Sequence, residues 1–300
     1  MAGEVLIDIL PTGDVVGGGP ANTARALARL GHGVDFIDGI SSDRYGLIAR
    51  KALGRDGVDL AHSLSSEKPT CTATVTLDSH GAASYEFLID KTATFDFNSS
   101  WLPDPSMYKP SVMHIGTLAT IIEPGASELF DWALRVGEFA PIIFDPNIRP
   151  SVLGDREIYS SSVEKWISIS SIVKVSDEDI KWLYPDETMD EVAHRWIAQG
   201  VSCVVITRGA HGLIGFTEHG MEEVDGAKVT VIDTVGAGDT VGAIVVEGVI
   251  EYSVASLQGH VLNSVLHKAA IAAGITCSRA GAQPPYKHEL TEAMENNAVY

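Results

Sequence analysis

Short apolar runs alternate with longer segments in which apolar residues recur every three to four positions. The runs at 34–40, 112–115, 141–144, 171–175 and 201–207 read as strands, and the periodic segments at 21–30, 45–53, 125–136, 192–197 and 261–275 as helices. This alternation predicts an α/β fold with a mainly parallel sheet covered by helices on both faces. Gly31 and Gly57 stand where helix C-caps are expected. One region breaks the rhythm. From 70 to 97 the chain reads as consecutive strands, 71–77 and 83–89, rich in Thr, Val, Tyr and Phe and joined by an Asp-Ser-His-Gly turn at 78–81. Two strands alone are marginal in water. They are expected to form a small β lid over a site or against a second subunit; the alternative is an edge hairpin on the main sheet.

Two glycine-rich segments carry candidate chemistry. In the first, Gly17-Gly18-Gly19-Pro20-Ala21-Asn22, small residues open a helix and Pro20 suits its first turn. Small residues let a ligand approach the backbone, and Asn22 can donate and accept toward hydroxyls, although such an Asn also serves simply to stabilise a turn. Upstream, Asp8 closes an apolar run, where a carboxylate is a good receiver for two sugar hydroxyls. The second segment is Asp233-Thr234-Val235-Gly236-Ala237-Gly238-Asp239-Thr240, between a β-like run at 229–232 and a small-residue apolar run. Its glycines let backbone amides converge at a helix N-terminus, which favours an anion. Three readings of this turn compete: a helix capped by Asp239, a variant dinucleotide fingerprint lacking the acid expected about 20 residues on, and a phosphoryl-transfer site with a base beside an anion hole.

Composition narrows the function classes. At 300 residues and 45% hydrophobic, the chain supports one large core with a small appendage. No segment reads as a signal peptide, and no apolar run approaches the roughly 20 residues needed to cross a bilayer. Cys71, Cys203 and Cys277 are too scattered for a metal site or a disulfide framework, so they read as buried thiols of a cytoplasmic protein. A net charge of −19 argues against nucleic acid and anionic membrane as partners. It leaves room for a local nest of amides that binds phosphate.

Taken together, these segments resemble the ribokinase-type (PfkB) carbohydrate kinases, the family of ribokinase, fructokinase and 2-keto-3-deoxygluconate kinase. Gly18-Gly19-Pro20-Ala21-Asn22 matches its N-terminal signature and Asp233 to Asp239 its C-terminal one. Gly39, Asp43, Gly46, Gly57-Val58-Asp59, His114-Ile115-Gly116 and Cys277 to Ala282 match in order between and beyond them. The resemblance implies a ribokinase-like three-layer α/β/α core, here 1–9, 18–67 and 98–300, with a β-sheet lid from 10–17 and 68–97 that joins two subunits in a homodimer. It implies ATP as phosphoryl donor, with Asp239 as base and the amides of Gly236, Ala237 and Gly238 as anion hole. Asp8, Gly18, Gly19, Asn22, Phe87 and Arg149 would line the sugar site. Ser176, Thr207, Gly209, Gly212 and Thr234 would meet the nucleotide. Mg²⁺ would ride mainly on phosphates and water near Asp179, and a monovalent cation such as K⁺ would sit by Asp233, Val235, Ser278 and Gly281.

Departures from the family pattern bear on substrate and on alternatives. Ser176-Asp177-Glu178-Asp179 replaces the common Asn-x-x-Glu; Asp179 also reads as a plain helix-start acid. Arg208 stands where an apolar residue is common, either over the adenine or facing solvent. Thr240-Val241 replaces the usual aromatic, and the chain begins closer to Gly3-Glu4 than is usual. The segment Phe144 to Pro150 resembles the fructokinase and ketodeoxygluconate kinase branches. Within it, Arg149 faces the sugar or the transferring phosphate, or pairs with Asp145. Phe87-Leu88-Ile89 occupies the place of the acid-sugar kinases' Tyr-Tyr-Arg. Without that Arg an acidic sugar loses a charge-assisted pair worth about 1.5–3 kcal/mol. Fructose is therefore the expected substrate. Ribose, 2-keto-3-deoxygluconate, a non-catalytic sugar-binding role and an NAD-dependent dehydrogenase are the alternatives.

Overall fold

The computed structural model describes residues 1–11, 13–77 and 83–297. Its main sheet has six strands in the order Gly220–Val224, Leu213–Thr217, Cys203–Thr207, Ile172–Ser176, Ile142–Asp145, Met113–Gly116. The last four are parallel; the first two join antiparallel at one edge. Successive residues of the parallel strands enter opposite cores. Ile142, Phe144, Val173, Val175, Val204 and Ile206 pack in one, against the helices Gly125–Val136, Arg156–Ile167 and Met189–Ala198. Ile143, Ile172, Cys203 and Val205 pack in the other, against Gly19–Arg29, Ala237–Tyr252 and Gly259–Cys277. A sheet apolar on both faces requires two helical layers, so this is the three-layer α/β/α architecture that the alternation predicts. Gly31 (φ +95°) and Gly57 (φ +91°) follow their helices in the left-handed conformation, as expected of such caps.

The second sheet is small, with four strands in the order Gly13–Gly17, Leu6–Leu10, Thr72–Leu77, Ala83–Leu88. Leu6–Leu10 runs antiparallel to Gly13–Gly17 and parallel to Thr72–Leu77. The hairpin at 72–88 thus gains a surface from the N-terminal strands. The edge-hairpin alternative is overturned, because none of these strands pairs with the main sheet. The turn at 78–81 lies outside the described residues.

Three local expectations are corrected. The run at 34–40 is two short strands, Val34–Asp35 and Gly39–Ser41, which pair with different partners. Between them buried Asp38 turns inward to accept from the amides of Val5 (2.8 Å) and Gly39 (2.7 Å), and the chain changes direction. The run at 229–232 forms no strand. The amides of Ile232 and Asp233 donate instead to the carbonyl of Cys277 at a helix end. Asp8 does not end a strand but sits in the middle of Leu6–Leu10, with a carboxylate oxygen 2.4 Å from where a Cβ on Gly17 would stand.

Candidate active site

The parallel strands end at Gly116, Asp145, Ser176 and Thr207, and the candidate residues gather beyond those ends, where open α/β sheets bind ligands. The first glycine-rich segment starts the Gly19–Arg29 helix, with Pro20 in its first turn. Gly18 has φ +104°, and a Cβ there would lie 2.4 Å from the carbonyl oxygen of Glu4. No other residue fits this approach. The second segment starts the Ala237–Tyr252 helix, with Gly236 left-handed (φ +80°) at its N-cap. Small residues along both helices let them pack face to face.

That packing brings the two segments together. The side-chain amide of Asn22 donates to Asp239 Oδ2 at 2.9 Å, across 217 positions of sequence. Both residues are buried. Asp239 makes no capping hydrogen bond to its own helix, which removes the cap reading. Burial raises its pKa to about 6; Lys174, the Asn22 hydrogen bond and Arg149 hold it down, whereas Asp145 pushes it up. A Cβ on Gly19 would meet Thr117 Oγ1 at 2.7 Å, Asn147 Nδ2 at 2.8 Å and Asp239 Oδ1 at 3.4 Å. Polar atoms of Thr117, Asn147 and Asp239 therefore close around Gly19, where a side chain would not fit. Of the three amides expected to hold an anion, that of Ala237 already donates to the carbonyl of Thr234 (3.2 Å) within the turn.

The remaining candidates divide. Asp8 is half-buried and its pKa is raised by burial, with the charge of Arg149 opposing. Phe87, half-buried on Ala83–Leu88, packs against the core. Arg149 is exposed and donates to the carbonyls of Asn147 (3.3 Å) and Ile148 (3.0 Å), so the expected alternative of an ion pair with Asp145 is not seen. Ser176 caps the Asp177–Leu183 helix, accepting from the amide of Asp179 at 3.0 Å. Asp179 is half-buried, its pKa pushed to about 6 by burial and then by the charge of Asp145. Thr207 ends its strand, and Gly209 (φ +54°) and Gly212 (φ +84°) flank a single 3₁₀ turn. Arg208 donates to Glu223 (2.7 Å) and to the carbonyl of His211 (2.8 Å). Asp233 accepts from the amides of Val235 (3.0 Å) and Gly281 (2.8 Å), which brings both strips of the expected cation site together, while Ser278 turns its hydroxyl back to Ile275. Thr234 is exposed beside them.

Sequence reasoning missed several neighbours. Lys174 Nζ forms a buried ion pair with Asp145 Oδ2 at 2.8 Å, directly beneath Gly238. A lysine inside the apolar run Ile-Val-Lys-Val of a central parallel strand was the signal, since such strands seldom hold a charge. Glu4 is buried with its pKa raised to about 8, chiefly by burial, and accepts from the amide of Ala119 (3.2 Å). Thr117 (φ +59°) and Asn147 (φ +41°) hold left-handed conformations that non-glycine residues rarely adopt, and they share a hydrogen bond of 3.2 Å.

Comparison with known proteins places this constellation. The family model described as pfkB family carbohydrate kinase matches residues 12–289. The chain belongs to the pfkB carbohydrate kinase family. Like its members it is a phosphotransferase that acts on a sugar hydroxyl. Among pfkB relatives, a fructokinase of Rhizobium leguminosarum bv. trifolii is 36% identical over 251 residues, spanning 80% of this chain and 76% of that protein. The fold matches the crystal structure of a fructokinase from Xylella fastidiosa with bound ATP, with a TM-score of 0.90, 24% identity and 99% and 98% of the two chains covered. It also matches a fructokinase from Vibrio cholerae O395 bound to fructose, ADP and calcium, at a TM-score of 0.83, 24% identity and 97% of each chain.

Proposed function

We propose that this pfkB kinase transfers the γ-phosphoryl group of ATP to fructose, with Asp239 as base. The Asn22–Asp239 hydrogen bond carries this reading, because it joins the sugar-type segment and the phosphate-type turn in one cleft. The sugar hydroxyl approaches over Gly19 and gives its proton to Asp239 as it attacks the phosphorus. Asn22 holds the carboxylate in position, and Asp8, Gly18 and Arg149 orient the sugar from the small sheet and the loop after Asp145. The amides of Gly236 and Gly238, with the helix N-terminus behind them, stabilise charge that develops on the phosphoryl oxygens. Phosphoryl transfer needs mainly positioning and charge stabilisation, and this turn is built for both. The loop from Thr207 to Gly212 and Thr234 meet the nucleotide. The names of the relatives, and the ATP, fructose and ADP bound by the fold neighbours, support the same choice of substrates.

The donor set suits a hard cation. Asp179 and Asp145 bring carboxylates close enough for each to be felt by the other, and Asp145 Oδ1 is buried without a partner among the described residues. Oxygen ligands of this kind hold Mg²⁺, which screens phosphate charge when it is bound. Asp233 and the backbone around Val235 and Gly281 are the place for a monovalent ion.

Two outcomes test the reading. An ADP-release screen across fructose, ribose, 2-keto-3-deoxygluconate and nucleosides should give the highest kcat/KM with fructose. A faster 2-keto-3-deoxygluconate reaction would overturn the neutral-sugar assignment. The pH profile is set by Asp239, which must be ionised to take a proton. With its pKa raised to about 6, kcat should fall as pH drops through that value and level off above it. A profile flat down to pH 4.5 would contradict the role.

A further inference from the structure

We propose that Lys174 is the charge-positioning residue of this site: its ammonium group, held by Asp145 beneath the Gly236–Gly238 turn, meets the charge of the transferring phosphoryl group from the side opposite solvent. The inference deepens the kinase reading and rests on it.

Geometry carries the proposal. Lys174 lies in the middle of the central strand Ile172–Ser176, and its side chain is 5% exposed. A Cβ on Gly238 would stand 3.0 Å from Nζ, so the ammonium sits against the first turn of the Ala237–Tyr252 helix. That end of a helix is already a positive pole. Two positive poles brought together inside a protein repel each other unless an anion lies close to both. Asp145, on the neighbouring strand, is one such anion at 2.8 Å. Asp239, in the same helical turn, is a second. A phosphoryl group over the glycine amides would be the third.

Stability does not account for the pair. Burying an ammonium and a carboxylate costs desolvation that their attraction often fails to recover, and apolar residues of the same volume commonly serve as well or better. Here the pair lies between two strands whose neighbouring residues Ile142, Ile143, Phe144, Ile172, Val173 and Val175 are all apolar and buried. The charges that act on Asp239 come from four directions. Lys174 contributes from the Ile172–Ser176 strand, Asp145 from Ile142–Asp145, Arg149 from the following loop, and Glu4 from the N-terminal segment. Lys174 is the largest of the charge effects on Asp239, and it favours the ionised base. Arg149 acts more weakly, from an exposed position where it is held by two carbonyls.

The test compares wild type with Lys174→Gln and with the double variant Lys174→Gln/Asp145→Asn, which removes both charges at once. Readouts are kcat, KM, the pH profile of kcat, melting temperature, and titration of the Asp239 carboxyl carbon by ¹³C NMR. Lys174→Gln should lower kcat by about 10²-fold, as loss of one stabilising donor does, and leave KM for sugar and ATP within about threefold. The acid limb and the Asp239 titration should both move to higher pH. The double variant should recover the melting temperature, and its Asp239 titration should stay above that of wild type, a readout that does not depend on Asp145 as a cation ligand. Recovery of kcat together with stability would make the pair structural and overturn the proposal, as would an Asp239 titration unchanged in Lys174→Gln. If wild type phosphorylates no sugar, the kinase reading fails. The carboxyl titration still decides whether Lys174 controls Asp239.

Discussion

Replacing Asp239 with Asn should lower sugar phosphorylation by about 10²–10⁴-fold, the range for loss of a positioned base. The substitution keeps size and shape. The new side chain retains an oxygen that can accept from Asn22, so the contact between the two glycine-rich segments survives. It also removes a buried carboxylate whose ionised form burial disfavours, so stability should hold or rise. Initial rates of ADP release and a thermal melt separate the two effects. Loss of activity with an unchanged melting temperature is the expected pair of results, and turnover near that of wild type would remove Asp239 from the role of base. KM should change little, because the base acts on the transition state rather than on ground-state binding.

The second large effect concerns stability. Asp56 accepts from Arg25 at 2.7 Å and lies 3.1 Å from Arg29. Its side chain is fully buried and those of both arginines nearly so. Arg25 also donates to the carbonyl of Ala282, and Arg29 to that of Pro284. Arg25 and Arg29, held by Asp56, thus tie the helix that carries Asn22 to the segment against which Gly236 packs. Asp56→Ala leaves two buried guanidinium groups without their carboxylate, which costs about 3–5 kcal/mol. For a chain of this size that should appear as a drop in melting temperature of roughly 5–8 °C. By contrast, Arg44→Ala, which breaks an exposed pairing with Asp14 at 3.7 Å, should leave the melt almost unmoved. Equal losses for the two variants would show that burial does not control the cost.

The layered core was legible because its signal is local. Runs such as 141–144 and 201–207 are apolar on both alternating faces, which only a sheet between two helical layers satisfies, and these strands appear within two residues of the expected bounds. The same holds for the glycines: Gly18 and Gly236 adopt backbone conformations that other residues avoid, so their presence in sequence already reported the turn. What failed was pairing. The run at 229–232 has strand composition, but the amides of Ile232 and Asp233 bond the carbonyl of Cys277 instead of a strand, and composition carries no information about such partners. The four-stranded small sheet needed Leu6–Leu10 to leave the core side and pair with Thr72, some sixty positions away. Lys174 and Asp145 were each visible as residues, but not as partners across adjacent strands. The positive φ of Thr117 has no local signature, since a β-branched residue avoids it, whereas Asn147 is of a type found there more often than most.

The hydrogen bond from Asn22 to Asp239 also has a consequence in time. Its two ends are separated by most of the chain, so a protein emerging residue by residue from a ribosome has made the helix that carries Asn22 long before Asp239 exists. Closing so long a loop comes late on entropic grounds as well. The contact between the two glycine-rich segments therefore forms only when the last large helices have docked on the first.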